Sequence, residues 1–327
     1  MSFKTKGFTM AAFTATPPNQ QELAGDRRAT ALKLFTGEVI KHFDEMNLAL
    51  GLVKRRSITG GKSAQFMLTG KADEANISTH TAGEDVVPVA LAANERIISI
   101  GGREVYAQFI DDLEDLIAQF EVRGEMAKQA GEVLATKIDK QVFLGIYDLL
   151  ADAGLAGQPT AGQIINTALT GTTAEAHGDA MVSSIYAAST ALNSKNVPMM
   201  GRVVVTNPAM YNNVILSQKA VNGDWTNGNG GIDTGRVFQI GGMPLMWTNH
   251  LPAVTTEAGY GTVATNLEAM VFVPEVYGVV TAMDIQAEAN YIPEKLGDLL
   301  VAYYALGHGP LNPTGLVTIH SAATTDV

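Results

Sequence analysis

The stretch RRSITGGKSAQF, Arg55 to Phe66, holds Gly60-Gly61-Lys62-Ser63, the closing half of a phosphate-binding loop. The complete loop reads G-x-x-x-x-G-K-[ST], with a strand before it and a helix after it, so that backbone N–H groups converge on phosphate. Arg56 stands where the first glycine belongs, and AQFMLTGK alternates apolar and polar residues at period two, which predicts a strand after Ser63. Both requirements of the motif fail. The six histidines, His42, His80, His177, His250, His308 and His320, are scattered, and none has a partner at metal-ligand spacing. His308 lies between Gly307 and Gly309, just before Pro310, which is turn composition rather than the setting of a general base. Asn227 to Gly231 is glycine-rich without the G-x-G-x-x-G spacing, and no G-x-S-x-G elbow occurs. The absence of cysteine removes thiol nucleophiles, disulfides and Cys-ligated metals. No catalytic residue, cofactor or metal is expected.

The elements that carry these residues are more informative than the residues themselves. Residues 1–25, with Pro17-Pro18, read as an extended arm, and apolar residues at helical spacing predict a helix from Asp26 to about Leu50. Residues 54–72 predict a strand, a polar turn region follows over 73–88, and strands return at Glu95–Ile100 and Glu104–Ile110. Residues 55–103 thus form a long two-stranded excursion. Such a ribbon is marginal alone in water and needs something to lie on.

From Asp111 to Asp152, Leu113, Leu116, Ile117, Phe120, Ala127, Leu134, Ile138, Val142, Ile146 and Leu149 keep a 3.6-residue period without proline. This predicts one helix about 60 Å long, with Asp111, Asp112, Glu114 and Asp115 in the first turn, where the helix dipole favours acids. No heptad seam is sustained, so the helix reads as a strut. Residues 154–178 read as a linker. A mixed α/β segment follows, with a helix at Asp179–Ser194, a buried strand at Arg202–Thr206, and a helix begun by Asn207-Pro208 and ending near Ser217. The glycine-rich run Asn222 to Gly235 reads as a loop, two strands flank Gly241-Gly242, and further strands are predicted over 269–290, 298–307 and 314–320.

A chain of 327 residues with 46% hydrophobic and 17% charged residues supports a sizeable core. No apolar run reaches about 18 residues, so no transmembrane helix is predicted. The stretch Met10 to Phe13 is too short for a signal-peptide core, so the chain is expected to be cytoplasmic where it is made. The net charge of −11 argues against general affinity for duplexes. It is uneven: residues 1–105 carry 13 Lys and Arg against 11 Asp and Glu, and residues 106–327 carry 9 against 22. Such asymmetry reads first as uneven surface solvation, and alternatively as a front third that lies against the remainder, within one chain or between copies.

An arm, a helix, a long β excursion, a strut helix and an α/β segment, in this order, resemble the major capsid proteins of T-seven-like short-tailed bacteriophages. The likeness spans nearly the whole chain and is densest at LFTGEVIKHF (Leu34–Phe43), RSITGGKSAQF (Arg56–Phe66), QAGEVLATKIDKQV (Gln129–Val142) and YYALGHGPLNP (Tyr303–Pro313). It implies an α+β fold of the HK97 capsid type. Residues 1–53 would be the N-terminal arm with its helix, 54–104 the extended loop (E-loop) overlapping a neighbour, and 105–178 the P-domain spine helix and linker. Residues 179–283 would be the A-domain, and 284–327 would return to the P-domain sheet. The implied function is a structural virion protein that self-assembles into hexamers and pentamers of an icosahedral shell around double-stranded DNA. The implied partners are other copies, a scaffolding protein, a portal at one vertex, DNA held without sequence specificity and a cement or decoration protein, with no membrane. Assembly would occur in the host bacterial cytoplasm. An encapsulin-like bacterial compartment is the alternative with the same fold. In either case Gly60-Gly61 would root a shell-building hairpin. Arg55, Arg56 and Lys62 at that root, and Asp111, Asp112 and Asp115 at the strut, are the candidate contacts between subunits.

Overall fold

The computed structural model of the chain describes residues 27–69, 77–83, 85, 86, 88, 93–111, 122–152, 161–167, 169, 173–217, 230, 231, 236, 237, 239–252 and 266–321. The first helix, α1 (Arg27–Met46), and a one-turn helix, α2 (Ala49–Leu52), lead into strand β1 (Lys54–Ser57). A ribbon of β2 (Ser63–Thr69) and β3 (Ala93–Ser99) follows, then β4 (Glu104–Asp111) and the long helix α3 (Val122–Asp148), closed by a 3-10 turn at Leu149–Ala151. Next come β5 (Gln163–Asn166), α4 (Ala174–Ser194), β6 (Val203–Thr206) and α5 (Pro208–Leu216). Two short pairs, β7 (Gly230–Gly231) with β8 (Arg236–Val237) and β9 (Gln239–Ile240) with β10 (Met243–Trp247), precede β11 (Leu267–Phe272), β12 (Tyr277–Ile292), β13 (Gly297–Pro310) and β14 (Leu316–His320).

One four-stranded sheet, ordered β1-β12-β13-β4, carries α1 and α3 on one face. Phe35, Val39 and Phe43 of α1 and Leu134, Ile138 and Val142 of α3 are buried there against Val279, Ala302 and Tyr304. The helical spacing read in the sequence is the stripe that makes this contact. A second sheet is ordered β5-β14-β11-β6-β10-β9, and its central strands β14, β11 and β6 are buried on both faces. Val204, Val271 and Val317 turn toward Met181, Ile185 and Leu192 of α4. Their alternate neighbours Val203, Val205, Met270 and Phe272 join the core of the first sheet and α3. Fully buried strands read as continuous apolar runs, which is why VVVT at β6 shows no alternation.

Several boundaries differ from the sequence reading. The helix expected from Asp111 is, among the described residues, a helix from Val122; Asp111 instead ends β4, in register with Gly297. The period-two exposure of β4 continues the ladder up to that aspartate, and the 27 described helical residues span about 40 Å. Asp112, Glu114 and Asp115 lie outside the described residues. The strand expected over 54–72 is two strands: β1 lies parallel to β12, and β2 starts the ribbon after a bend in which Gly61 has φ +99°. Only glycine adopts that backbone readily. Part of the expected linker is β5, parallel to β14, and α4 begins at Ala174 because Thr173 caps it by accepting from the Ala176 amide. Within the stretch 284–327, β13 lies in the first sheet but β14 belongs to the second, and β12 enters the first sheet already at Tyr277.

Asp139, fully buried on α3, ties three distant segments together. Its carboxylate accepts from the amides of Leu48 (3.1 Å) and Ala49 (2.9 Å), which open α2, and stands 3.0 Å from Nδ1 of His250, just beyond β10. A second polar contact crosses the first core. Tyr277 reaches α3 over Gly145, where a Cβ would stand 2.0 Å from its hydroxyl, and that hydroxyl lies 2.7 Å from Nδ1 of His308.

Replacing Asp139 by alanine leaves two amides and an imidazole without their acceptor, so the unfolding free energy should fall by about 3 kcal/mol or more. Asp139→Asn, which keeps one acceptor oxygen, should lose less; urea denaturation of both variants checks the order, and a loss below about 1 kcal/mol for alanine contradicts the role. Burial pushes the pKa of His308 below its ordinary 6.5. The unfolded chain therefore binds the proton more readily, and stability should decline as pH falls below about 6.5, levelling once the folded form also protonates. Thermal unfolding between pH 7 and 5 checks this: His308→Asn should flatten the slope, and an unchanged slope refutes the assignment.

Candidate assembly surfaces

Among the described residues, the ribbon is held to its own sheet at its root. Ala64, Phe66 and Ile98 are buried against Val280 and Leu311. The approach needs glycines underneath: a Cβ on Gly307 would stand 2.3 Å from the carbonyl oxygen of Ser99, and one on Gly278 would meet Ile98 at 2.9 Å. GHG at 307–309 is thus a strand segment that a second layer crosses, not the turn read from its composition. Arg96 of β3 pins the ribbon to the end of the long helix through Asp152, Nη2 to Oδ2 at 2.6 Å. Beyond the root the outer face stays open, with Met67 at 80% and Ile97 at 57% exposure.

The structure places the candidate basic residues at this root and gives two of them partners in the same chain. Arg55 Nη2 lies 3.3 Å from Asp284 Oδ1, both side chains well exposed. Arg56 donates to the carbonyl of Gln65 (2.9 Å) and covers the Phe66 ring at 5.9 Å. Lys62 is exposed, and its carbonyl accepts from the Ile100 amide. Ser63 opens a strand, so the Gly-Lys-Ser stretch lacks the helix that a phosphate loop requires. Asp111 sits at the far end of β4, on the opposite edge of the sheet from Arg55 and Arg56. Within one chain Asp111 is therefore not brought to Arg55 and Arg56, and Asp112 and Asp115 lie outside the described residues.

Four ionic contacts escaped the sequence reading: Arg55–Asp284, Arg96–Asp152, Arg123–Asp298 (2.7 Å) and Lys137–Glu104. Their partners are 33 to 229 residues apart, and no local spacing encodes them. Asp139 did leave a signal, being a carboxylate within the apolar stripe of α3 between Ile138 and Val142. Arg202 is 1% exposed, and its guanidinium donates to the carbonyls of Pro198, Ser189 and Val197 and to the side chains of Ser189 and Asn193. Burial lowers its pKa, as it does that of Lys195, whose Nζ donates to the Ala161 carbonyl. Both are tied into backbone carbonyls and serve packing. A groove of about 480 Å³ between α1 and β12–β13 is lined by Phe43, Asn47, Arg55, Asp284 and Tyr304 among others. It sets no nucleophile beside a base. Among the described residues no cluster of His, Asp and Glu could hold a metal.

What remains conspicuous on the surface is apolar and strand-like. Val105 (54% exposed) and Phe109 stand on the edge strand β4, and Met199, Met200 and Trp247 are exposed around the second sheet. On the face that Val105 and Phe109 share, Arg103 covers the ring of Tyr303 at 4.8 Å, and the Tyr303 hydroxyl donates to Glu288, which raises its pKa. These are materials for association rather than for turnover.

Comparisons with known proteins agree. Residues 66–320 match the family model described as Gp10A-like major capsid protein. The major capsid protein of Escherichia phage T7 is 27% identical over 322 residues, covering 89% of this chain and 91% of that protein. The major capsid protein of Enterobacteria phage T3 gives the same identity and coverage. Among solved structures, the capsid of cyanophage P-SCSP1u superposes with a TM-score of 0.70 at 24% identity, covering 84% of this chain and 87% of that one. The virus-like particle of Pyrococcus furiosus superposes at 0.55 with 13% identity, covering 88% and 99%. The fold is the HK97-type α+β fold of capsid subunits, and the chain belongs to the Gp10A-like family of phage major capsid proteins, structural proteins rather than enzymes.

Proposed function

We propose that the chain is the repeating subunit of an icosahedral phage head, assembling into hexamers and pentamers that enclose double-stranded DNA. The ribbon β2–β3 carries this reading: a two-stranded element with exposed Met67 and Ile97 is too weak to stand alone and calls for a neighbour's surface. In this scheme residues 1–53 are the N-terminal arm and the ribbon is the E-loop. The sheet β1-β12-β13-β4 with α3 is the P-domain, and the second sheet with α4 and α5 is the A-domain, whose exposed Met199, Met200 and Trp247 face other copies. The excess of acids over residues 106–327 disfavours tight contact with phosphate, so DNA is spooled inside without sequence-specific binding. A scaffolding protein, a portal at one vertex and a decoration protein complete the partners, with assembly in the host cytoplasm. Membership of a phage capsid family supports a genome as the content, over the cargo enzyme of an encapsulin-like compartment.

Coexpression with its scaffolding protein should yield closed particles whose capsomers show six-fold and five-fold symmetry by electron microscopy. A chain that stays monomeric across a wide range of salt and concentration, with scaffold present, overturns the proposal.

A further inference from the structure

The two edges of the first sheet are built differently. At one edge β1 is four residues long, every residue exposed, and reads Lys-Arg-Arg-Ser. Charged, short edge strands resist pairing with copies of themselves. At the other edge β4 runs eight residues in unbroken register with β13, from Glu104 opposite Tyr304 to Asp111 opposite Gly297. Between its terminal acids it carries no charge and no proline, and Val105 and Phe109 are exposed. Long, uncharged edges of this kind are templates for another strand. Among the described residues, no strand and no backbone hydrogen bond lies on the outer side of Lys54–Ser57 or of Glu104–Ile110.

We propose that the β4 edge of one copy pairs with the β1 edge of the next, continuing the four-stranded sheet from subunit to subunit. This inference rests on the shell reading above and names the contact by which copies join. Charge selects the pairing. Two β4 edges meeting antiparallel in centred register would set Glu104 opposite Asp111 twice, and two β1 edges would oppose cations. Like charges directly opposite are destabilising. The unlike edges instead set the cations Lys54, Arg55 and Arg56 along a strand whose only charges are terminal acids, so no like charges oppose. The exposed intrachain pairs Arg55–Asp284 and Lys137–Glu104, each worth little in water, oppose this only weakly. Direction fits as well. β1 is parallel to β12, β12 antiparallel to β13 and β13 antiparallel to β4, so β1 and β4 run the same way. A neighbour added in the same orientation therefore pairs parallel, head to tail, and such a contact propagates into rings instead of stopping at dimers.

The absence of cysteine makes a direct test possible. Lys54 lies on the sheet face away from α1 and α3, the face that Val105, Ala107 and Phe109 share, because their alternate neighbours Val53, Tyr106 and Ile110 join the helix-side core. Chains carrying Lys54→Cys combined in turn with Val105→Cys, Ala107→Cys or Phe109→Cys are assembled with scaffold and mildly oxidised. At least one combination should give a ladder of disulfide-linked species extending beyond the dimer on a non-reducing denaturing gel, while each single cysteine gives none. Particles that form without a ladder from any combination overturn the edge pairing and leave the shell reading intact. Dimers from a single β4 cysteine overturn it in favour of two-fold pairing. Unsubstituted chains that form no particles overturn the shell reading and the edge pairing with it.

Discussion

The carboxylate of Asp139 is the point on which three separate segments of the chain converge. It lies on α3, accepts the amides that open α2 and holds the imidazole of His250 beyond β10. Around it Val39, Phe43 and Ile138 close the contact between α1 and α3, where a Cβ at Gly131 would stand 2.9 Å from the Val39 carbonyl. Burying a carboxylate is costly unless its hydrogen bonds are met, and here the donors come from parts of the chain about 90 and 111 residues away in sequence. The position of α2 fixes where β1 enters the sheet, and β1 fixes where the ribbon leaves it.

From that anchored centre the molecule extends elements that it does not itself complete. The central strands of the second sheet are covered on both faces, with α4 and α5 on one side and the α3 core on the other. The ribbon is not; its root packs on Gly278 and Gly307, and its outer face carries Met67 and Ile97 into solvent. Among the described residues, the edge strand β4 is likewise paired on one side only. A monomeric protein normally shields such edges, so a closed core with open strands is the physical signature of a subunit whose folding is finished by its neighbours.

Much of this architecture was legible in the sequence because it follows local periods. The stripe of α1, the stripe of α3 from Ala127 onward, the Asn207-Pro208 helix start and the hairpin at Gly241-Gly242 fall where spacing and turn chemistry place them. Failures occurred where a non-local partner decided the outcome. Asp111 belongs to a strand because Gly297, far along the chain, completes its ladder. Gly178 looked like loop material, yet it lies within α4, where a Cβ would stand 2.0 Å from the Asn213 carbonyl. The basic root was visible in Arg55 and Arg56, but their intrachain partners Asp284 and Gln65 were not, since sheet register brings them together. Whole-chain resemblance supplied the family, while residue-level contacts needed the fold.

In the proposed shell, assembly completes the strands that the single chain leaves open. Hydrogen–deuterium exchange of the chain, compared before and after assembly into particles, tests this most directly. Amides of the ribbon and of β4 from Val105 to Ile110 should slow by about tenfold or more, reflecting new protection. Those of α4 and β6, already enclosed, should change little. Equal exchange at the ribbon and β4 in free and assembled protein would contradict the account.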